Sequence, residues 1–266
     1  MIGFEIILFA LLFIGVYKYQ RNWKPVYPLF YTNGELIKIG HRGAPALAHE
    51  NTLASFIKAV ETGMNGVELD VQYSADKQLV VFHDWDLKTL NGSDKIIEKM
   101  PYSEIEKISL HDDDNNKIPL FREVLNVLSK KCIIVVEIKS VHFLNAGIEK
   151  NVLEIVKEFN FEENCIISSF NPLILWRIRK LNPNILTAFL WSKTDPQFSL
   201  NSPLWVWLCR PHAFHADIEH LDENLMSWIH RKKMSVLTFT VKTSSDLSKA
   251  KHLGVDGIIM DDPYLN

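Results

Sequence analysis

An excess of positive charge is what this chain most plainly lacks. Its 266 residues carry 29 lysines and arginines against 32 aspartates and glutamates, a net charge of −3 at pH 7. A protein whose main partner is nucleic acid usually shows a basic face, so that class is set aside. Cysteine is sparse too: Cys132, Cys165 and Cys209 are odd in number and far apart. Such a set makes neither a disulfide framework nor a zinc site. Cys132 and Cys165 each open an apolar run, where a thiol packs as a small hydrophobe. No glycine-rich turn follows the first apolar β-like run, which removes the signature of a dinucleotide fold. A long polar linker and an internal repeat are both missing, so most of the chain reads as one domain. What remains, 47% hydrophobic and 23% charged residues, is an ordinary globular balance able to bury a large core.

The N-terminus departs from that balance. "MIGFEIILFALLFIGVY", residues 1–17, holds one side-chain charge, Glu5, and is followed by Lys18, Arg21 and Lys24. A spanning helix takes about 17 to 25 apolar residues. The charged leader and small-residue cleavage site of a secretory signal are missing. Residues 1–17 are therefore expected to be a transmembrane anchor, 18–35 a juxtamembrane connector, and 36–266 the folded domain. Trp23 and the tyrosines of the connector suit the headgroup zone, and the cations beyond the anchor place the domain on the cytoplasmic side.

Downstream, short β-rich runs alternate with helical patterns. The runs are 36–40, 66–71, 132–139, 165–170, 185–191, 213–218, 235–241 and 255–260. Helices are expected over 52–62, around 145–159, after Pro172, near 222–232 and near 244–252. Strands alternating with helices pair in parallel through right-handed crossovers. Eight such strands predict a (β/α)8 barrel of the TIM type, with an open doubly wound sheet as the competing arrangement. "LVVFHD", 79–84, follows the second strand too soon for a crossover, so it should return as an antiparallel hairpin. A turn centred on Asp76 and Lys77 would set residue 70 opposite residue 83.

The candidate chemistry sits at the strand ends. Glu68 and Asp70, two apart, project from one face of a strand that otherwise looks buried, and Glu137 and Lys139 repeat that spacing. Two like charges on one buried face are costly unless a cation joins them. Three carboxylates at ligand distance suit Mg²⁺ or Ca²⁺ better than zinc; a solvated acidic edge is the plainer alternative. His41 and His83 each end an apolar strand, and a pair of histidines beside such a cluster suits a general acid and a general base. Arg42 offers a planar fork for phosphate oxygens and Lys139 a point charge.

These pieces together resemble one family. His-Arg-Gly at 41–43, Glu-Asn-Thr at 50–52, Glu-x-Asp at 68–70, His-Asp at 83–84 and Glu-x-Lys at 137–139 stand in the order of the glycerophosphodiester phosphodiesterases. "SSF" at 168–170 and "DDP" at 261–263 look like that family's later segments. The resemblance implies a distorted β/α barrel, a metal held by Glu68, Asp70 and Glu137, and His41 and His83 as the acid/base pair. It implies hydrolysis of glycerophosphodiesters to sn-glycerol 3-phosphate and an alcohol. Some membrane-anchored relatives act instead as lysophospholipase D on lysophospholipids, and an idle barrel serving as a tethered binding module is a further alternative. All the matched catalytic positions are filled, which speaks against the idle barrel.

The chain departs from the family pattern at two places. Phe-Thr-Val-Lys at 239–242 replaces Trp-Thr-Val-Asn, so Phe239 keeps an aromatic wall for the substrate while Lys242 adds a cation. His49 stands where a proline is usual. Residues 85–120 read as a short polar segment that leaves the barrel mouth open. "FSLNSPLWVWL", 198–208, is either a packed helix of the outer ring or a lipid-contacting surface.

Overall fold

The stretch 133–138, IIVVEI, sets five β-branched residues around one glutamate, a composition that favours a strand covered on both faces. The structure, a computed structural model, shows this directly. Ile133 and Val135 pack into the barrel interior, whereas Ile134, Val136 and Ile138 face the surrounding helices. The residues described are 11, 14, 15, 18, 23, 35–110, 116–128, 132–140, 147–194 and 202–266.

Eleven strands are present among them: β1 (Ile37–Gly40), β2 (Gly66–Tyr73), β3 (Leu79–Val81), β4 (Asp86–Leu87), β5 (Ser93–Ile96), β6 (Ile133–Ile138), β7 (Cys165–Ser169), β8 (Leu186–Trp191), β9 (Ala213–Asp217), β10 (Ser235–Val241) and β11 (Gly257–Met260). The main sheet runs β1-β11-β10-β9-β8-β7-β6-β2-β3, and β1 also pairs with β2. That last pairing closes eight parallel strands into a barrel and excludes the open sheet. All eight runs expected from sequence form its staves.

Capping fixes where the outer helices begin. Thr52 accepts from the Ser55 amide, Asn171 precedes Pro172 at the first helical position, and Asp222 accepts from the Leu225 amide. Thr243 and Asp246 cap one another reciprocally.

Two staves approach so closely that only glycine fits between them. Gly66 lies level with Ile133, and a Cβ there would collide with the Ile133 carbonyl, a backbone atom that cannot turn aside. Gly66→Ala is expected to destabilise the barrel by about 1–3 kcal/mol, read from the urea midpoint at constant m. An unchanged midpoint would show that the staves can part.

Two expectations are corrected. The β2–β3 hairpin pairs Val71 with Val81 and Tyr73 with Leu79, and the Phe82 amide bonds the Asp70 carbonyl, so Asp70 lies opposite Phe82 rather than His83. The loop has an odd number of residues, with Lys77 left-handed at φ 62°, and this shifts the register by one. The segment 85–120 is not merely a polar connection. It carries the β4–β5 hairpin, and Leu87, Ile97, Met100, Ile105, Leu110 and Ile118 pack with Val80 and Phe82 into a core of their own.

The segment expected to be an anchor lies almost wholly outside the described residues, as do most of the acidic run at 112–116 and the first part of the 198–208 stretch. Among the described residues no helix is long and apolar enough to cross a membrane. Trp23 packs edge-on against Trp207, and its indole donates to the Pro211 carbonyl at 3.1 Å. In the 198–208 stretch, Val206 is buried, while Leu204 and Trp207 are exposed. All three cysteines are buried and unpaired.

Candidate active site

Parallel register gathers the acidic side chains. Asp70 of β2 lies level with Glu137 of β6, and Glu68 stands two residues below Asp70 on the same inward face. One carboxylate oxygen from each of the three lies within 4.8 Å of the others. Lys139, just past β6, places its Nζ 3.6 Å from Asp70 and 3.4 Å from Glu137.

The turn after β1 supplies the second cation. Arg42 is left-handed at φ 52°, which turns its backbone N–H to donate to Glu68 at 3.0 Å. Its guanidinium meanwhile reaches Glu50 at 2.7 Å and Asp70 at 3.5 Å. Gly43, at φ 96°, packs against Ser55, and no side chain fits there. Asn51, also left-handed, donates its side-chain amide to Asp70 at 3.0 Å.

Both histidines are held by carboxylates. Gly40 lies level with Met260, so the next residues, His41 and Asp261, meet where the first and last staves, β1 and β11, pair, with Nδ1 to carboxylate 2.6 Å. His83 Nδ1 lies 2.7 Å from Asp84. The buried Gln72 amide donates to the Phe82 and Asp84 carbonyls, both at 2.8 Å, and so fixes the turn that carries His83. A carboxylate at Nδ1 sets the tautomer and frees Nε2 for proton exchange.

Seven of the eight residues singled out from sequence line one cavity of about 490 Å³: His41, Arg42, Glu68, His83, Glu137, Lys139 and Phe239. The eighth, Asp70, is 1% exposed and lies behind Arg42 and Lys139. Phe239 stacks edge-on with Phe170 to form an aromatic wall. His212, by contrast, precedes β9 at the opposite end of the barrel, where its Nδ1 accepts from the Thr187 amide.

Burial and neighbours split the acids. Burial, reinforced by Asp70 and Glu137, raises the Glu68 carboxyl well above its usual range. Burial likewise pushes Glu137 up to about 7, against the pull of Lys139. Burial acts on Asp70 in the same sense, but Lys139 and Arg42 overcome it and hold Asp70 far below the ordinary value. Burial lowers the His83 pKa, so that ring tends to the neutral form. Burial would raise Asp261, yet its bond to His41 holds it low.

All the donors that the three acids offer are hard carboxylate oxygens, and a bound cation would favour the ionised forms of Glu68 and Glu137 that burial disfavours. That donor set fits Mg²⁺ or Ca²⁺, not a site for zinc or copper.

The raised Glu137 pKa has a measurable consequence in excess chelator. Its folded value of about 7 lies above the unfolded value of about 4.3, so the protonated form favours the fold. That contribution is complete below about pH 4 and is lost as pH rises through 7. Glutamine has no proton to lose. Glu137→Gln should therefore gain stability relative to the parent between pH 5 and pH 8, read as the difference of melting midpoints. A difference that stayed flat or fell with pH would contradict the assignment.

Several functional contacts were not visible from sequence. Asp261 belongs to the Asp-Asp-Pro triplet, but nothing in the spacing joins residue 261 to residue 41. Gln72 reads as a plain strand residue, and His215, on the inward face of β9, gave no signal at all.

The barrel and its cavity hold the acids, bases and phosphate-binding cations that a phosphoric diester hydrolase needs. Residues 41–265 match the glycerophosphoryl diester phosphodiesterase family over most of the chain, and the protein belongs to that family. A glycerophosphodiester phosphodiesterase of Caldanaerobacter subterraneus is 34% identical over 233 residues, covering 85% of this chain and 93% of its own length. The crystal structure of a glycerophosphodiester phosphodiesterase from Thermotoga maritima superposes with a TM-score of 0.70 at 32% identity, over 86% of this chain and 96% of that one. A phosphodiesterase of Oleispira antarctica, in complex with the product sn-glycerol-3-phosphate, gives a TM-score of 0.72 at 27% identity, over 85% and 93%. The chain is a glycerophosphodiester phosphodiesterase by class.

Proposed function

We propose that the protein hydrolyses glycerophosphodiesters to sn-glycerol 3-phosphate and an alcohol with a divalent cation, Mg²⁺ or Ca²⁺, held by Glu68, Asp70 and Glu137. The observation that carries this reading is the convergence of those carboxylates within 4.8 Å of one another, at a cavity lined by Arg42, Lys139 and two carboxylate-held histidines. A cation held there would supply positive charge to the phosphoryl oxygens and would lower the pKa of a nearby hydroxyl or water.

The chain's own groups do the rest. Arg42 and Lys139 bind the remaining phosphate oxygens, and their existing contacts with Asp70 hold them ready for it. His41 and His83 carry the two proton transfers: one accepts the nucleophile's proton at Nε2, the other donates a proton to the departing alkoxide. The nucleophile is a water or the substrate's own neighbouring hydroxyl, and in the second case a cyclic phosphate is released first. Phe239 and Phe170 wall one side of the cavity against solvent. Glycerophosphocholine assayed with Mg²⁺, with Ca²⁺ and in excess chelator tests the reading. Turnover is expected only with a cation, and turnover that persists in chelator would overturn it.

Residues 1–17 anchor the chain to a bilayer and 18–35 connect it to the barrel at 36–266, with the barrel on the cytoplasmic side; the apolar run and the cations that follow it support this. Alkaline extraction of membranes and protease protection check it, and release of the chain into the supernatant would refute it.

Lysophospholipase D activity is the second reading. The exposed Leu204 and Trp207 favour contact with lipid. Trp207 packs on Trp23, however, whose indole bonds Pro211 ahead of β9, away from the strand ends that build the cavity. That placement favours glycerophosphodiesters over a lysolipid, and the ratio of glycerophosphocholine to lysophosphatidylcholine turnover separates the two.

A further inference from the structure

Two polar side chains inside the barrel are left over by the chemistry above. His215, on β9, is 0% exposed and lines the cavity, and among the described residues no group hydrogen-bonds either of its ring nitrogens. Ser168, on β7, is 1% exposed, lies level with Glu137 in the parallel register, and has an equally unpartnered Oγ. Its neighbour Ser169 is different, because that hydroxyl is committed to the Ile138 carbonyl at 2.9 Å. Buried polar groups without partners are rare in folded proteins and call for a physical account.

Their surroundings narrow what they could bind. The cavity around them is lined by Val135, Leu190 and Ile259, with Phe239 above, whereas Asp84, Asp86 and Lys242 line it as well but belong to the segments that follow β3 and β10 at the mouth. Burial pushes the His215 pKa down to about 3, so the ring is neutral, with one donor and one acceptor. An alcohol hydroxyl also donates one bond and accepts another. Val135, Leu190, Ile259 and Phe239 offer no counter-charge to a charged head group, and the neighbouring Glu68 and Glu137 belong to the cation site proposed above, while a short hydroxylated carbon chain matches both the polarity of His215 and Ser168 and their apolar frame.

We infer that His215 and Ser168 form a hydroxyl-binding subsite in the cavity interior that recognises the glycerol arm of the substrate, leaving the other alcohol to face the mouth. The inference rests on the function proposed above, to which it adds the orientation of the substrate and the source of its selectivity. A site built to pair a hydroxyl discriminates against an analogue that lacks it, because the protein groups are then left buried and unpaired.

The full chain, titrated calorimetrically in Mg²⁺ with sn-glycerol 3-phosphate and with ethyl phosphate, tests it. Both ligands carry a phosphate monoester, and only the first carries hydroxyls. The parent is expected to prefer sn-glycerol 3-phosphate by about tenfold or more, the worth of one well-made bond. His215→Leu should abolish that preference with ethyl phosphate affinity within about twofold of the parent. His215→Asn, which keeps a donor and an acceptor, should retain most of it. Ser168→Ala should weaken the preference severalfold, and it alters packing so little that it decides the matter if His215→Leu fails to fold. A preference that survives His215→Leu, or an equal loss for both ligands, would overturn the inference. Loss of hydrolysis with the preference intact would instead count against the proposed reaction and for the subsite.

Discussion

Asp70→Asn is expected to lower kcat/KM for glycerophosphocholine by on the order of 10³-fold and to abolish the rise in melting temperature that Mg²⁺ or Ca²⁺ gives the parent. Asp70 is the member of the acidic cluster that stays charged, because Lys139 and Arg42 outweigh its burial. It also takes the Asn51 amide at 3.0 Å, so a change at this one position touches four neighbours at once. Asparagine keeps the shape and removes the charge. Arg42 and Lys139 then face only Glu68 and Glu137, both of which burial favours in the protonated form. The cluster loses the one carboxylate that stays ionised without a cation, and with it the fixed negative charge that would attract a divalent ion. Removing one partner from a buried charge network also destabilises the fold by about 3–5 kcal/mol at most, so activity should be measured well below the variant's own melting midpoint. A variant within tenfold of the parent, still inhibited by chelator, would show that the cation is held elsewhere.

The second large effect belongs to the histidines. His41→Asn and His83→Asn should each lower kcat by about 10²–10⁴-fold with much smaller changes in KM, the size expected when a positioned acid or base is lost. The double variant should be little worse than the more damaged single one, because two groups serving one transition state do not contribute additively. Each single variant should also lose one limb of the bell-shaped dependence of kcat on pH. Asp261→Asn should injure the enzyme through His41, since that carboxylate is what orients the ring at 2.6 Å. A bell that survived intact in either histidine variant would remove that histidine from the proton-transfer pair.

The agreement between sequence and structure has identifiable causes. Strand interiors such as IIVVEI and GVELDV are read without difficulty, because a stave buried on both faces is almost uniformly apolar and its exceptions stand out. Glu68, Asp70 and Glu137 were visible for that reason: charge in a buried strand, at a period of two, has to face a common site. His41 and Arg42 were visible because a glycine-flanked turn directly follows an apolar run.

Other contacts were not legible because they depend on which strand lies beside which. The hairpin from β2 to β3 was recognised, but its register came out one residue away, since the handedness of Lys77 in the loop sets the pairing. The segment 85–120 looked polar because its apolar residues are scattered, and only folding collects Leu87, Ile97, Ile105 and Ile118 into a cluster.

The sequence by itself determined the eight staves, the face each acid and base occupies, and the family to which the pattern belongs. Only the tertiary structure decided that Asp261 holds His41, that Asn51 and Lys139 flank Asp70, and that His215 and Ser168 face the cavity unpaired. Side-chain periodicity is local and is written in adjacent residues. The neighbours across a barrel seam are fixed by closure of the whole sheet, which brings residue 41 beside residue 261 through hydrogen bonds no short stretch of chain can encode.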